Sequence, residues 1–243
     1  MTQPSWSPGP SAPHLAAGEV HVWLASLSVR AAALSTYLAT LRDDERERAA
    51  RYHFNRDRDA YIAGRGILRE LLGRYLSQPP SDIKISYSDY GKPYVVGAST
   101  RFNLAHAGGL ALFAFAQDTA VGVDLEQERE LDDALAIAKR FFSPVEWESL
   151  AALPSVEQRA AFFRIWSRKE AFIKAVGQGL SYPLDSFEVT AAEDETRLLR
   201  VGDDSAEAGA WSLLALPVPA GYAAALAVRL PEVRLCTWRH GSR

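Results

Sequence analysis

Between Glu19 and Leu27 apolar and polar positions alternate, with Val20, Val22 and Leu24 on one side and Ala25 to Leu27 completing the run. A period of two predicts a strand there. Residues 31–76 are helical in character: a charge-dense run from Arg42 to Arg51 precedes Tyr61, Ile62, Ile67, Leu68, Leu71 and Leu72 at helical spacing, and Pro79-Pro80 closes the block. Short strands are expected at Ile83 to Tyr87, Tyr94 to Val96, Leu110 to Ala116 and Val121 to Leu125, with Gly91, Gly97 and Gly108-Gly109 between them. A second helical block runs from about Leu131 to Val176 and is followed by Gly177 and Gly179. Beyond it lie four strand-like runs, Phe187 to Thr190, Trp211 to Leu216, Tyr222 to Leu230 and Val233 to Trp238, while Glu193 to Gly209 reads as an acidic, mobile loop.

Helices followed by a meander of strands occur twice, so the pattern predicts an α+β fold. The junction falls near Gln117 to Thr119, dividing the chain into an N-terminal subdomain over 19–118 and a C-terminal one over 119–243. Residues 1–18 carry Pro4, Pro8, Pro10 and Pro13 among small residues and read as an extended, flexible tail with little to bury.

Composition narrows the function. A chain of 243 residues that is 48% hydrophobic and 23% charged suffices for a packed core without disulfides or a structural metal. Cys236 is the only cysteine, which excludes an intramolecular disulfide and a cysteine-rich zinc site. A net charge of −3 gives no overall field to attract nucleic acid or an anionic membrane. No apolar run approaches the roughly 20 residues that span a bilayer, and the first 29 residues lack the cations that open a secretory signal. A cytoplasmic protein acting on neither nucleic acid nor membrane is expected.

Four short motifs carry candidate chemistry. In Val121-Gly122-Val123-Asp124-Leu125-Glu126, strand alternation puts Asp124 and Glu126 on one face and Val123 and Leu125 on the other. Two carboxylates so close repel, and a hard divalent cation such as Mg²⁺ relieves the conflict; solvated acids at a strand end are the plain alternative. In the helix around Trp166 to Lys174, Glu170 and Lys174 lie four residues apart on the flank of an apolar face. They form either a surface pair worth a few tenths of a kcal/mol or a carboxylate with a cation aimed at phosphate. His106 stands beside Gly108-Gly109, where an anion can approach without steric obstruction, and Lys92 sits in the turn Tyr90-Gly91-Lys92-Pro93. Taken alone, a lone histidine is more often a structural hydrogen-bonding group, and Lys92 is an ordinary loop lysine. Glu146 completes a capping box with Ser143, with Pro144 at the first helical position, which accounts for it without catalysis.

Taken in order, Gly-Lys-Pro, Phe-Asn-Leu-Ala-His, Val-Gly-Val-Asp-Leu-Glu, Phe-Phe-Ser-Pro-x-Glu and Trp-x-x-Lys-Glu-Ala-Phe-x-Lys resemble the 4′-phosphopantetheinyl transferases, in particular the monomeric type that activates surfactin synthetase. The resemblance spans about Arg42 to Phe187. It implies a pseudo-two-fold pair of similar α+β subdomains with the active site in the cleft between them. It also implies transfer of the phosphopantetheine arm of coenzyme A to a serine of an apo acyl or peptidyl carrier protein, with release of 3′,5′-ADP. By position, Asp124, Glu126 and Glu170 resemble the Mg²⁺ ligands and Lys174 the residue facing the transferred phosphate. His106, Lys92 and Arg48 resemble the groups that hold coenzyme A phosphates, with Arg65 and Arg69 as substitutes for Arg48. Glu170 and Glu146 are rival general bases. Ala105 replaces a serine usual in the family, which removes one hydroxyl from the expected phosphate contacts. A non-catalytic module binding coenzyme A or a carrier protein on the same fold is the alternative function.

Overall fold

The computed structural model describes residues 6–241. Two strands open the chain, β1 (Ser7–Pro8) and β2 (Glu19–Ser26). Three helices follow, α1 (Ala31–Thr40), α2 (Asp43–Ala50) and α3 (Asn55–Leu76), then a hairpin of β3 (Ile85–Tyr87) and β4 (Pro93–Val95), then β5 (Thr100–Ala107) and β6 (Leu110–Gln117). From residue 121 the same series begins again. Strand β7 (Val121–Gln127) precedes α4 (Ala134–Phe141), α5 (Pro144–Ala151) and α6 (Ser155–Val176). The pair β8 (Phe187–Val189) and β9 (Leu198–Val201), a short α7 (Ser205–Gly209), β10 (Ser212–Ala215) and β11 (Tyr222–Val228) come next, and β12 (Arg234–Arg239) ends the chain.

The two series share one topology. In each, the first strand pairs antiparallel with the last and the intervening strand takes the outside, giving β2-β6-β5 and β7-β11-β10. In each, a helix of 22 residues precedes the small antiparallel pair, and it ends on a residue with positive φ, Ser77 or Gly177. The fold is α+β with two similar subdomains. Strands β5 and β6 are joined by Gly108-Gly109, both at positive φ, as a tight two-residue hairpin requires.

Three apolar clusters hold this arrangement. One packs α1 and α3 against the N-terminal sheet around Trp23, Ile67, Leu71, Phe113 and Phe115. A second packs α4, α5 and α6 against the C-terminal sheet around Phe162, Phe172, Phe187 and Leu213. The third lies between the halves and joins Val20, Val22, Leu112 and Ala114 to Val121, Val123, Leu125 and Leu226. Strands β2, β6 and β7 therefore bury both faces, which is why each reads as nearly continuous apolar sequence.

Several expectations change. The tail expected over 1–18 is extended but docked over residues 6–18: β1 pairs with β12, the Trp6 indole donates to the Pro217 carbonyl, and Gly9 lies so close to Trp23 that a Cβ would meet the ring at 2.0 Å. Residues 1–5 lie outside the described residues. The last strand, β12, does not stay with the C-terminal sheet but lies parallel to β2 in the N-terminal one. The stretch from Thr100 to Ala107 forms a full strand, its alternation hidden by Asn103 and Ala105 on the buried side. The loop expected from Glu193 to Gly209 contains β9 and α7 instead.

Candidate active site

Strand β7 meets helix α6 through a glycine. A Cβ on Gly122 would fall 2.1 Å from the Ala171 carbonyl oxygen and 2.3 Å from the Ala175 nitrogen, so only glycine allows backbone to touch backbone there. Two residues on, strand alternation sends Asp124 toward the same helix, while Val121, Val123 and Leu125 point into the cluster between the halves. Asp124 is 3% exposed and its Oδ1 accepts from Lys174 Nζ at 2.5 Å. Its Oδ2 is buried without a hydrogen-bond partner.

Glu126 lies on the same face of β7 and Glu170 one turn before Lys174 on α6, both half-buried. Burial, then the charge of Asp124, push Glu126 up to about 7, with Glu170 adding to the rise while Lys174 and the Trp166 indole oppose it. Burial and Asp124 likewise raise Glu170. Burial raises Asp124 itself, against the pull of Lys174. The shifts describe one situation: three carboxylates share a single ammonium in a poorly solvated place. Their ligand atoms do not all lie within 4.8 Å of one another.

His106 is exposed near the end of β5, where crowding and the nearby Lys174 ammonium lower its pKa. Asn103 turns the other way and its Oδ1 accepts from the Val123 main-chain N–H at 2.9 Å. That bond satisfies the exposed edge of β7 and locks the histidine strand to the carboxylate strand. Ala105 is 4% exposed in the apolar cluster between the halves, so this position faces core and not the cleft.

The structure does not bring the other predicted residues into this group. Lys92 Nζ donates to the carbonyls of Val121 at 3.0 Å and Ala175 at 2.8 Å, capping α6. Burial, with a smaller contribution from Arg101, lowers it to about 8. Arg48 is exposed on α2 over the Tyr61 ring at 5.4 Å, apart from this group. Arg65 and Arg69 are buried on Glu45, and Arg69 also donates to the carbonyls of Pro80 and Ile83.

Glu146 also stands apart from this group. Its carboxylate accepts from Lys169 Nζ at 2.6 and 2.7 Å, from the Ser143 N–H at 2.9 Å and from the Val189 N–H at 2.8 Å. It is 2% exposed, and three donors make four hydrogen bonds to its two oxygens, so it stands away from any substrate. The capping box formed as its sequence indicates, and Lys169 completed it.

Sequence reasoning missed Lys169, placed on the core face by its stem, because a fully buried ammonium carries no signature apart from its partner. It also gave no role to Trp166 beside Glu126 or to Tyr222, whose hydroxyl donates to the Gly108 carbonyl at 2.9 Å. An asparagine in the middle of an apolar strand was the signal available for Asn103.

Two like subdomains, one of which sets an acidic strand against a helix carrying Glu170 and Lys174, make up the candidate site. Comparison with known proteins gives the family. Residues 120–227 match the 4′-phosphopantetheinyl transferase superfamily, and residues 28–118 match the family described as 4′-phosphopantetheinyl transferase, N-terminal. The chain is 39% identical over 232 residues to the 4′-phosphopantetheinyl transferase HetI of Nostoc sp., covering 94% of this chain and 95% of that one. It is 35% identical over 159 residues to the transferase Sfp of Bacillus subtilis, covering 65% and 70%. With the human L-aminoadipate-semialdehyde dehydrogenase-phosphopantetheinyl transferase it shares 28% over 214 residues, covering 79% and 68%. The holo-[acyl-carrier-protein] synthase of Thermotoga maritima superposes on 48% of this chain and 65% of its own at a TM-score of 0.37 and 22% identity. The chain belongs to the 4′-phosphopantetheinyl transferase superfamily.

Proposed function

We propose that this enzyme moves the 4′-phosphopantetheine arm of coenzyme A onto a serine hydroxyl of an apo acyl or peptidyl carrier protein, with Mg²⁺ bound at Asp124, Glu126 and Glu170. It would act as a monomer in the cytoplasm. The observation that carries the reading is the unpartnered, buried Oδ2 of Asp124 beside two further carboxylates with raised pKa values. Three carboxylates against one ammonium leave an excess of negative charge. A hard dication with oxygen ligands fits that donor set, and sulfur-seeking metals do not. Bound there, Mg²⁺ supplies Lewis-acid polarisation of the pyrophosphate.

The remaining work falls to side chains. Lys174 holds Asp124 in the free enzyme and is the cation within reach of the transferred phosphate once Asp124 binds elsewhere. His106, near Lys174 and exposed, would hold a coenzyme A phosphate; its lowered pKa makes anion binding there favour mildly acidic conditions. Glu170, the carboxylate one turn before Lys174, takes the proton of the carrier serine. The serine oxygen forms the new P–O bond, the pyrophosphate P–O bond breaks, and 3′,5′-ADP leaves with the electron pair. Lys92 and Arg48 would reach coenzyme A only from outside this group, Lys92 after giving up its two carbonyls. Transfer of this kind asks for positioning and charge neutralisation and for no nucleophile from the enzyme.

Incubating the enzyme with coenzyme A, Mg²⁺ and a panel of apo carrier proteins tests this by intact mass. One phosphopantetheine arm added to a carrier, lost on chelation of the metal and in Asp124→Asn, is expected. Carrier binding with no mass gain would overturn it in favour of a non-catalytic module.

A further inference from the structure

In the other half of the molecule, far in sequence from the carboxylate group, Glu19, His21 and Cys236 each present a ligand atom within 4.8 Å of the others. Parallel pairing of β2 and β12 produces this: His21 stands opposite Cys236 and Glu19 opposite Arg234. Glu19 and His21, two residues apart on one strand, share a face. From these residues we infer a second metal site, specific for a borderline or soft divalent ion such as Zn²⁺, which clasps the C-terminal strand to the centre of the N-terminal sheet.

The donor set is one oxygen, one nitrogen and one sulfur. Thiolate and imidazole favour zinc-type ions and disfavour Mg²⁺. Arg234 already balances the Glu19 carboxylate in part, and an ion there would bring the charge that a Cys236 thiolate needs. Glu19 Oε2 and His21 Nε2 are 3.5 Å apart, longer than an ordinary hydrogen bond and near the roughly 3.3 Å edge of a tetrahedral zinc site. Glu19 is held for the task by Arg234 on its Oε1 and by the Ala16 N–H on its Oε2 at 2.8 Å.

His21 is held as ligating histidines are. Its Nδ1 lies 2.9 Å from the Tyr75 hydroxyl, which also accepts from the Trp23 indole at 2.9 Å. When the Tyr75 hydroxyl accepts from Nδ1–H, the ring's other nitrogen, Nε2, is free for an ion. The Trp238 ring packs edge-on against His21 at 4.3 Å and walls off one side. The imidazole is almost wholly buried between β12 and α3, which keeps it fixed in place. A fourth position is left for water. The half-buried Cys236 leaves a route in from solvent.

Because Cys236 is the only cysteine, its ligation has an unambiguous signature. Co²⁺ titrated into the full chain, with Mg²⁺ in excess and no coenzyme A, is expected to give a thiolate-to-cobalt charge-transfer band saturating at one equivalent. Zn²⁺ should displace the cobalt and raise Tm. Cys236→Ser should abolish the band, weaken zinc at least tenfold in chelator competition and remove the Tm rise; Glu19→Gln, which keeps the side chain's shape, should weaken zinc similarly. Both variants are checked for an unchanged fold by circular dichroism. A folded wild-type chain with no charge-transfer band, or with the same zinc affinity as Cys236→Ser, overturns the proposal. Either result leaves the transferase reading untouched, because the carboxylate site holds no sulfur.

Discussion

Lys174 and Asp124, fifty residues apart, form a 2.5 Å ion pair in which only one carboxylate oxygen is used. The ammonium, about 29% exposed, reaches in from the solvent side, while the aspartate is almost wholly buried. The pair resembles an occupied metal site with a monovalent stand-in: Lys174 offsets part of the repulsion among Asp124, Glu126 and Glu170 and leaves the rest. A dication competes with it for Asp124. Lys174→Ala should therefore bind Mg²⁺ at least as tightly as the wild type, measured calorimetrically, while kcat falls by about 10²–10³, the usual cost of losing one group that stabilises transition-state charge. Weaker Mg²⁺ binding in this variant would show that the lysine supports the site rather than competing for it.

Removing the charge of Asp124 should separate stability from activity. Burial raises its pKa in the folded state, so ionised Asp124 destabilises the metal-free protein at neutral pH. Asp124→Asn keeps the shape without the charge, at the cost of turning an acceptor toward Lys174 into part of an amide. Its metal-free Tm is expected to equal or exceed that of the wild type, and its transfer activity to vanish. A variant that is both inactive and much less stable would mean that the ion pair organises the subdomain.

The pH dependence has a definite sign. Glu126 sits at about 7 when folded against an ordinary 4.5. The folded protein thus holds a proton that the unfolded chain gives up between those values. The resulting penalty is absent below about 4.5, grows through the interval and levels off above 7. Metal-free Tm should accordingly lose ground on this account from pH 4.5 to 7, and saturating Mg²⁺ should flatten the loss. Mg²⁺ affinity should fall by up to tenfold per unit as pH drops below about 7, because the ion must displace a proton. Calorimetric titration at several pH values checks both.

Glu146 offers the opposite case, a carboxylate whose role is structural. Glu146→Gln leaves the Lys169 ammonium fully buried without a counter-charge and weakens the cap of α5. Breaking such a pair from one side costs about 3–5 kcal/mol. Denaturant unfolding should show a loss of that size, with kcat per folded molecule nearly unchanged. A tenfold fall in kcat at full folding would restore Glu146 as a base.

Much of this architecture is written locally. The strand face of Asp124 and Glu126 follows from alternation alone, the Glu170–Lys174 spacing from helical periodicity, and the Ser143–Glu146 box from four consecutive residues. What the chain does not show locally is which polar groups meet across the fold. Whether Lys92 faces a phosphate or caps α6, and whether Arg48 turns in or out, depends on packing between segments distant in sequence. Strand Thr100–Ala107 was invisible for a related reason: Asn103 occupies an inward position because its partner is the open edge of β7, twenty residues on. The docking of residues 6–18 depends likewise on Trp23 and β12, neither legible in a proline-rich segment.

Gly122 ties the geometry together and gives the sharpest mechanical test. The Cβ of Gly122→Ala would meet main-chain atoms of α6 at 2.1 and 2.3 Å, and backbone cannot rotate away as a side chain can. Strand β7 must move off the helix by about the missing van der Waals separation, of order 1 Å. That movement carries Asp124 away from Lys174 and Glu170. Stability should drop by about 1–3 kcal/mol, as for other overpacked cores, and kcat should fall by about 10² because catalytic groups misplaced by 1 Å lose that much. Gly64→Ala is the control, since its Cβ would come no nearer than 3.6 Å to Leu27 and α3 lies outside the site; its activity should match the wild type. If Gly122→Ala unfolds more easily yet turns over normally, the contact between β7 and α6 serves only the fold, and the carboxylates find the ion without it.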